Sequence, residues 1–105
     1  MIKISLVDGR NAPQFFCDIC GKLIDKAGEG AIVHSNFLDE GKATDAIVVH
    51  KDFAGLSCLS KAEAQVRKGG GSPGWQELRS AIAYLAFNHG VSGKHIEEIL
   101  GRPTF

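Results

Sequence analysis

The 105-residue sequence has no excess charge of either sign: 12 Lys and Arg stand against 12 Asp and Glu. The balance is also local, with nine of each sign in residues 1–74 and three of each in residues 75–105. No basic arm or tail exists, and non-specific nucleic-acid binding, which draws on many Lys and Arg neutralising phosphates, has little to work with. Long hydrophobic runs are missing too. No stretch nears ~18 consecutive apolar residues, and residues 1–6 alternate like a strand and lack the apolar core of a secretion signal; the expectation is a cytoplasmic protein that does not enter a membrane. Cysteine is scarce: three residues cannot all pair internally, so metal or redox chemistry is favoured over a disulfide framework.

Catalytic signatures are equally short. There is no Gly-x-Ser-x-Gly, no His-Glu-x-x-His, and no His-x-Glu joined to Pro-Cys-x-x-Cys. Residues 69–74, the Gly-rich stretch, follow a predicted helix and lack the lysine and strand context of a phosphate-binding loop. Nothing in the chain points to an enzyme.

What is present suits one modest core. A chain of this size buries roughly 65% of its unfolded surface, so an added cross-link would contribute much. The expected organisation is a single α+β domain: a β-rich part over residues 1–68, a Gly-rich linker over 69–74, and a helical hairpin over 75–105. Ile2, Ile4 and Leu6 alternate with Lys3 and Ser5 and stop at Asp8-Gly9, which predicts a first strand and a turn. Residues 31–38 and 44–50 read as a hairpin, with Val33 and Phe37 on one face and Ile32 and His34 on the other. Ser60 and Glu63 have capping-box spacing ahead of a helix over residues 62–68. Ser72-Pro73 reads as the start of a second helix whose Trp75, Leu78, Ile82 and Leu85 form a core stripe ending at Gly90. A short last helix begins near Ser92 and carries Ile96, Ile99 and Leu100.

Cys17-Asp18-Ile19-Cys20-Gly21 is the most informative segment. A Cys-x-x-Cys turn followed by glycine lets two thiolates converge on one ion, because the tight turn aims backbone N–H groups at the sulfurs. Structural zinc takes four sulfur or nitrogen ligands, and the remaining candidates are His34, His50 and Cys58. His50 ends a predicted strand and Cys58 precedes a helix, where exposed amides favour a thiolate. The expected ligand set is therefore Cys17, Cys20, His50 and Cys58, with His34 as the alternative fourth ligand. One continuous helix over residues 51–58 would separate His50 from Cys58 by ~12 Å, so residues 52–57 must turn back, and Gly55 allows it. A redox role for the Cys-x-x-Cys would want a helix opening after it, which Gly21-Lys22-Leu23-Ile24-Asp25 does not suggest. An iron–sulfur cluster would usually want four thiolates.

The pattern Cys17-x2-Cys20-x29-His50-x7-Cys58 resembles the treble-clef class of zinc fingers over residues 14–68. That resemblance implies a knuckle and hairpin giving two ligands and the start of a helix giving the rest. It departs from the class in its second pair, which is usually separated by two residues. Residues 82–101 resemble a helix-turn-helix through Ala86, Gly90, Val91, Ile96 and Ile99. His89, just before the turn glycine, departs from that pattern and would cap its helix end. The outward face of the last helix would offer Lys94, Glu97 and Glu98, two carboxylates that repel phosphate.

These readings together imply a small structural-zinc protein, with Zn2+ as its cofactor and another protein as its partner, Tyr84 and Phe87 lying off the core stripe as the contact surface. A nucleic-acid or transcription-associated factor, with Lys61, Arg67 and Lys68 meeting phosphates, is the alternative; a zinc hydrolase, needing an open coordination position, is the third.

Overall fold

A computed structural model describes residues 1–36 and 41–101. Strands β1 (Ile2–Val7) and β2 (Arg10–Phe15) form an antiparallel ribbon, in register from Ile2 opposite Phe15 to Val7 opposite Arg10. The turn between them is Asp8-Gly9, both with positive φ (51° and 79°), the signature of a two-residue hairpin turn. Pro13 sits within β2, tolerable because the ribbon has only two strands and both have a free edge.

Three further strands form a second antiparallel sheet in the order β4-β3-β5: β3 (Gly30–Ser35), β4 (Ile47–His50) and β5 (Pro73–Glu77). A 3-10 turn, Ala27–Glu29, leads into β3. Helices α1 (Cys58–Lys68), α2 (Leu78–Asn88) and α3 (Gly93–Leu100) complete an α+β arrangement. Among the described residues no helix is long and apolar enough to cross a membrane.

The core lies between the three-stranded sheet and its helices. Val33, Val49 and Ala31 are fully enclosed, Ala62 brings α1 close, and Leu78 brings in the start of α2. Leu59 and Val66, three and four residues either side of Ala62, line the same face of α1. Arg67 reaches Glu63 one turn earlier at 4.0 Å.

Several expectations need correction. The helix expected to begin at Ser72-Pro73 begins at Leu78, because residues 73–77 fill the free edge of β3 as a strand, with Trp75 opposite Val33. Ladder hydrogen bonds along that edge win over the helical spacing of Trp75 and Leu78. The core stripe then shrinks to Leu78: Trp75, Ile82 and Leu85 remain 40–53% exposed. Ser60 is not an N-cap, since α1 starts two residues earlier at Cys58; its hydroxyl pairs with the Asp52 carboxylate, and Glu63 meets Arg67.

The hairpin expected over 31–38 and 44–50 exists as β3 and β4, with Val33 buried and Ile32 and His34 half-buried. Phe37 lies outside the described residues. The last helix starts as expected, with Ser92 and His95 forming a reciprocal capping box. Gly90 adopts a left-handed φ of 72° at the end of α2. Ile96 and Ile99, however, stay 41% and 51% exposed, so the packing that a helix-turn-helix requires of them is not completed within one chain.

Candidate metal centre

The segment from Phe16 to Leu23 folds back on itself, the two residues forming an isolated antiparallel bridge. Cys17 N–H donates to the Lys22 carbonyl at 2.9 Å, and Gly21 N–H donates to the Cys17 carbonyl at 2.9 Å. The turn requires a φ of 75° at Gly21, a conformation that a side chain would strain. Its consequence is chemical, because the amides of Ile19 and Cys20 are aimed at Cys17 Sγ, at 3.4 and 3.5 Å.

The turn is held against the main sheet by Asp18. Its backbone N–H donates to the Val48 carbonyl at 2.7 Å, and its carboxylate accepts the Val48 N–H at 2.8 Å. That two-way bond fixes the turn to β4, the strand that ends in His50. Spacing alone makes Asp18 look like a solvated carboxylate; its place between the two cysteines was the available signal.

His50 is buried at the end of β4. Its Nε2 lies 3.0 Å from the Leu23 carbonyl oxygen, which can only accept, so Nε2 carries the hydrogen and Nδ1 keeps its lone pair. Nδ1 lies 3.4 Å from Cys20 Sγ. After His50 the chain reverses within eight residues. Ala54 and Gly55 both take positive φ, 50° and 82°, and Leu56 N–H closes on the Phe53 carbonyl at 2.8 Å. Asp52 then accepts the Ser60 N–H at 3.3 Å, tying the loop to the first turn of α1. Cys58, the first residue of α1, is thereby returned to the same point.

The ligand atoms of Cys17, Cys20, His50 and Cys58 all lie within 4.8 Å of one another. A tetrahedral ion with Zn–S of about 2.3 Å and Zn–N of about 2.0 Å places its ligands roughly 3.5–3.8 Å apart. The cluster is near that size, and the Cys20–His50 separation already falls at it. His34 is not among these residues; its Nδ1 lies 3.0 Å from the Ser35 carbonyl oxygen. Cys17 and Cys58 are buried, while Cys20 lies on the solvent side.

The electrostatics fit a cation. Burial alone would raise the Cys17 thiol, but hydrogen bonds, chiefly from the backbone of Cys20, His50 and Ile19, outweigh it and bring it down to about 6. Cys58 is pushed up to about 12, first by burial and then by the neighbouring Cys17 and Cys20 sulfurs. Three thiols and an imidazole converge here, and full ionisation requires a positive charge among them. The group could hold a metal ion.

No family model, no curated protein and no solved structure matches this chain. The chemistry of the site therefore rests on its own residues.

Proposed function

We propose that the chain is a small zinc protein in which Cys17, Cys20, His50 and Cys58 hold one structural Zn2+ in a treble-clef-like arrangement, and that it acts as a protein-interaction module. The observation that carries this reading is the convergence of four ligand atoms from three separate local structures: a tight turn that gives two of them, a strand end and a helix start. Three thiolates with one imidazole form a soft donor set suited to zinc, and four protein ligands leave no position open for a catalytic water. Zinc would then act as a cross-link joining the turn, β4 and α1, at one end of the core to which all three contribute. The outer contact between His50 and the Leu23 carbonyl is of the kind that orients metal-bound imidazoles. The interaction role is supported by the uncovered apolar residues of α2 and α3 and by the lack of net charge.

The test is elemental analysis of tag-free protein by mass spectrometry. One zinc per chain is expected, falling in both Cys17→Ser and Cys58→Ser variants. A chain purified without any metal, and taking up none from a zinc buffer, would overturn the reading.

A further inference from the structure

The four groups of the metal centre are unequally protected. Cys17 and Cys58 are 0% and 4% exposed and belong to the buried core, and His50 is buried at the end of β4. Cys20 is the cysteine open to solvent. Hydrogen bonding divides the sulfurs in the same way. The amides of Ile19 and Cys20 approach Cys17 Sγ at 3.4 and 3.5 Å, whereas Cys20 Sγ meets Nδ1 of His50, itself a ligand atom. Amide N–H groups draw electron density from a thiolate sulfur, and a thiolate stabilised in that way is a weaker nucleophile. Access and electron density therefore single out the same residue.

We infer that Cys20 is a site of attack by hydroperoxides, and that its oxidation closes a Cys17–Cys20 disulfide and releases the metal. This inference rests on the zinc reading above and deepens it, because it makes the cross-link one that an oxidant opens. In the first step the Cys20 thiolate attacks one oxygen of hydrogen peroxide; an S–O bond forms, the O–O bond breaks, hydroxide leaves and Cys20 becomes a sulfenic acid. In the second the Cys17 thiolate attacks the Cys20 sulfur; the S–S bond forms, the S–O bond breaks and a second hydroxide leaves. The two sulfurs give up two electrons, and peroxide is reduced to two hydroxides that solvent protonates to water.

The turn points to Cys17 as the second sulfur. Its Sγ already lies over the main chain of Cys20, and Gly21 N–H closes on the Cys17 carbonyl at 2.9 Å, so the disulfide forms within one local structure. Cys58 stands on a separate element, at the start of α1, where Asp52 and Ser60 fix the approach. A disulfide sulfur is no longer a thiolate ligand, which leaves His50 and Cys58 as two ligands where a structural zinc needs four. The residues after Cys20 run back to bridge Phe16 instead of opening a helix, so the pair lacks the helix N-terminus that activates such a motif in an oxidoreductase; it acts as a switch.

The test uses the full chain, with zinc content measured first. Zinc-loaded protein is treated with a small molar excess of hydrogen peroxide, desalted, and analysed for retained zinc and for tryptic peptides. Trypsin cuts after Arg10, Lys22, Lys51 and Lys61, so Cys17 and Cys20 share the peptide 11–22 and Cys58 lies on 52–61. The expected result is one zinc lost per disulfide formed, peptide 11–22 lighter by two hydrogens, and peptide 52–61 with its thiol free. Dithiothreitol with added zinc should restore the metal. Brief alkylation of the zinc-loaded protein with limiting N-ethylmaleimide should label Cys20 about tenfold faster than Cys17 or Cys58. Peptides 11–22 and 52–61 joined by a disulfide, zinc and thiols left intact by peroxide, or alkylation that begins at Cys17 or Cys58 would overturn the inference and leave the metal reading standing. A chain that holds no zinc at the outset would overturn both.

Discussion

His50 and Leu23 are joined across the candidate metal centre by a hydrogen bond of 3.0 Å from the ring Nε2–H to the main-chain carbonyl. Because a carbonyl can only accept, this bond selects the tautomer and leaves Nδ1 directed at Cys20 Sγ. The zinc-loaded protein should therefore show His50 as the Nε2–H tautomer in long-range proton–nitrogen NMR spectra. A proton on Nδ1 would contradict the assignment of His50 as a ligand through that atom.

Asp18 gives a second prediction. Its carboxylate satisfies the N–H of Val48, a residue that is 7% exposed, and its own amide returns a bond to the same residue. Asp18→Ala leaves a buried donor without its partner and should cost about 1–3 kcal/mol in denaturant unfolding of the zinc-loaded protein. Asp18→Asn keeps an acceptor and should cost less. Equal stability of wild type and Asp18→Ala would show that the turn is not anchored through this contact.

Much of the centre is legible in the sequence because its chemistry is local. Cys17-x-x-Cys20-Gly21 announces a turn that converges two sulfurs, and the backbone reversal between His50 and Cys58 follows from the length of chain that has to be folded back. The strand Pro73–Glu77 is hidden because Trp75 and Leu78 share helical spacing, while what decides the matter is the free edge of β3, a distant partner that no local pattern reveals. The extent of the α2 core stripe is hidden for a related reason. Ile82 and Leu85 have the right spacing, but the sheet reaches only as far as Leu78. The anchoring by Asp18 and the Leu23 carbonyl likewise depends on tertiary contacts across the centre.

Removal of the metal is the third prediction. Structural zinc contributes about 10–16 kcal/mol of apparent binding energy in finger peptides that are unfolded without it; this chain also has a core around Val33, Val49 and Leu78, so metal loss should weaken the fold rather than abolish it. With about 1 kcal/mol worth several degrees at this chain length, chelation should lower the melting temperature by about 20 °C or more. Amide exchange should quicken first around Cys17–Leu23 and His50–Cys58. An unchanged melting curve after complete zinc removal would contradict the role of the metal as a cross-link.

The metal-free fold should also respond to pH in a defined direction. Cys17 is lowered from 9.0 to about 6, so its contribution is fully present above 9 and is lost as pH falls towards 6. Cys58 is raised from 9.0 to about 12, so its contribution is fully present below 9 and is lost as pH rises towards 12. The melting temperature of the chelated, reduced protein should therefore rise from pH 6 to 9 and fall beyond it. A flat or falling profile between pH 6 and 9 would contradict a Cys17 thiolate held by the turn amides.

The central claim is a closed site of three sulfurs and one nitrogen, and X-ray absorption at the zinc edge reads that shell directly. The account predicts three sulfur scatterers at about 2.3 Å and one nitrogen at about 2.0 Å, with the Cys58→Ser variant losing one sulfur. A shell with only two sulfurs, or with a water oxygen in place of a protein ligand, would contradict it.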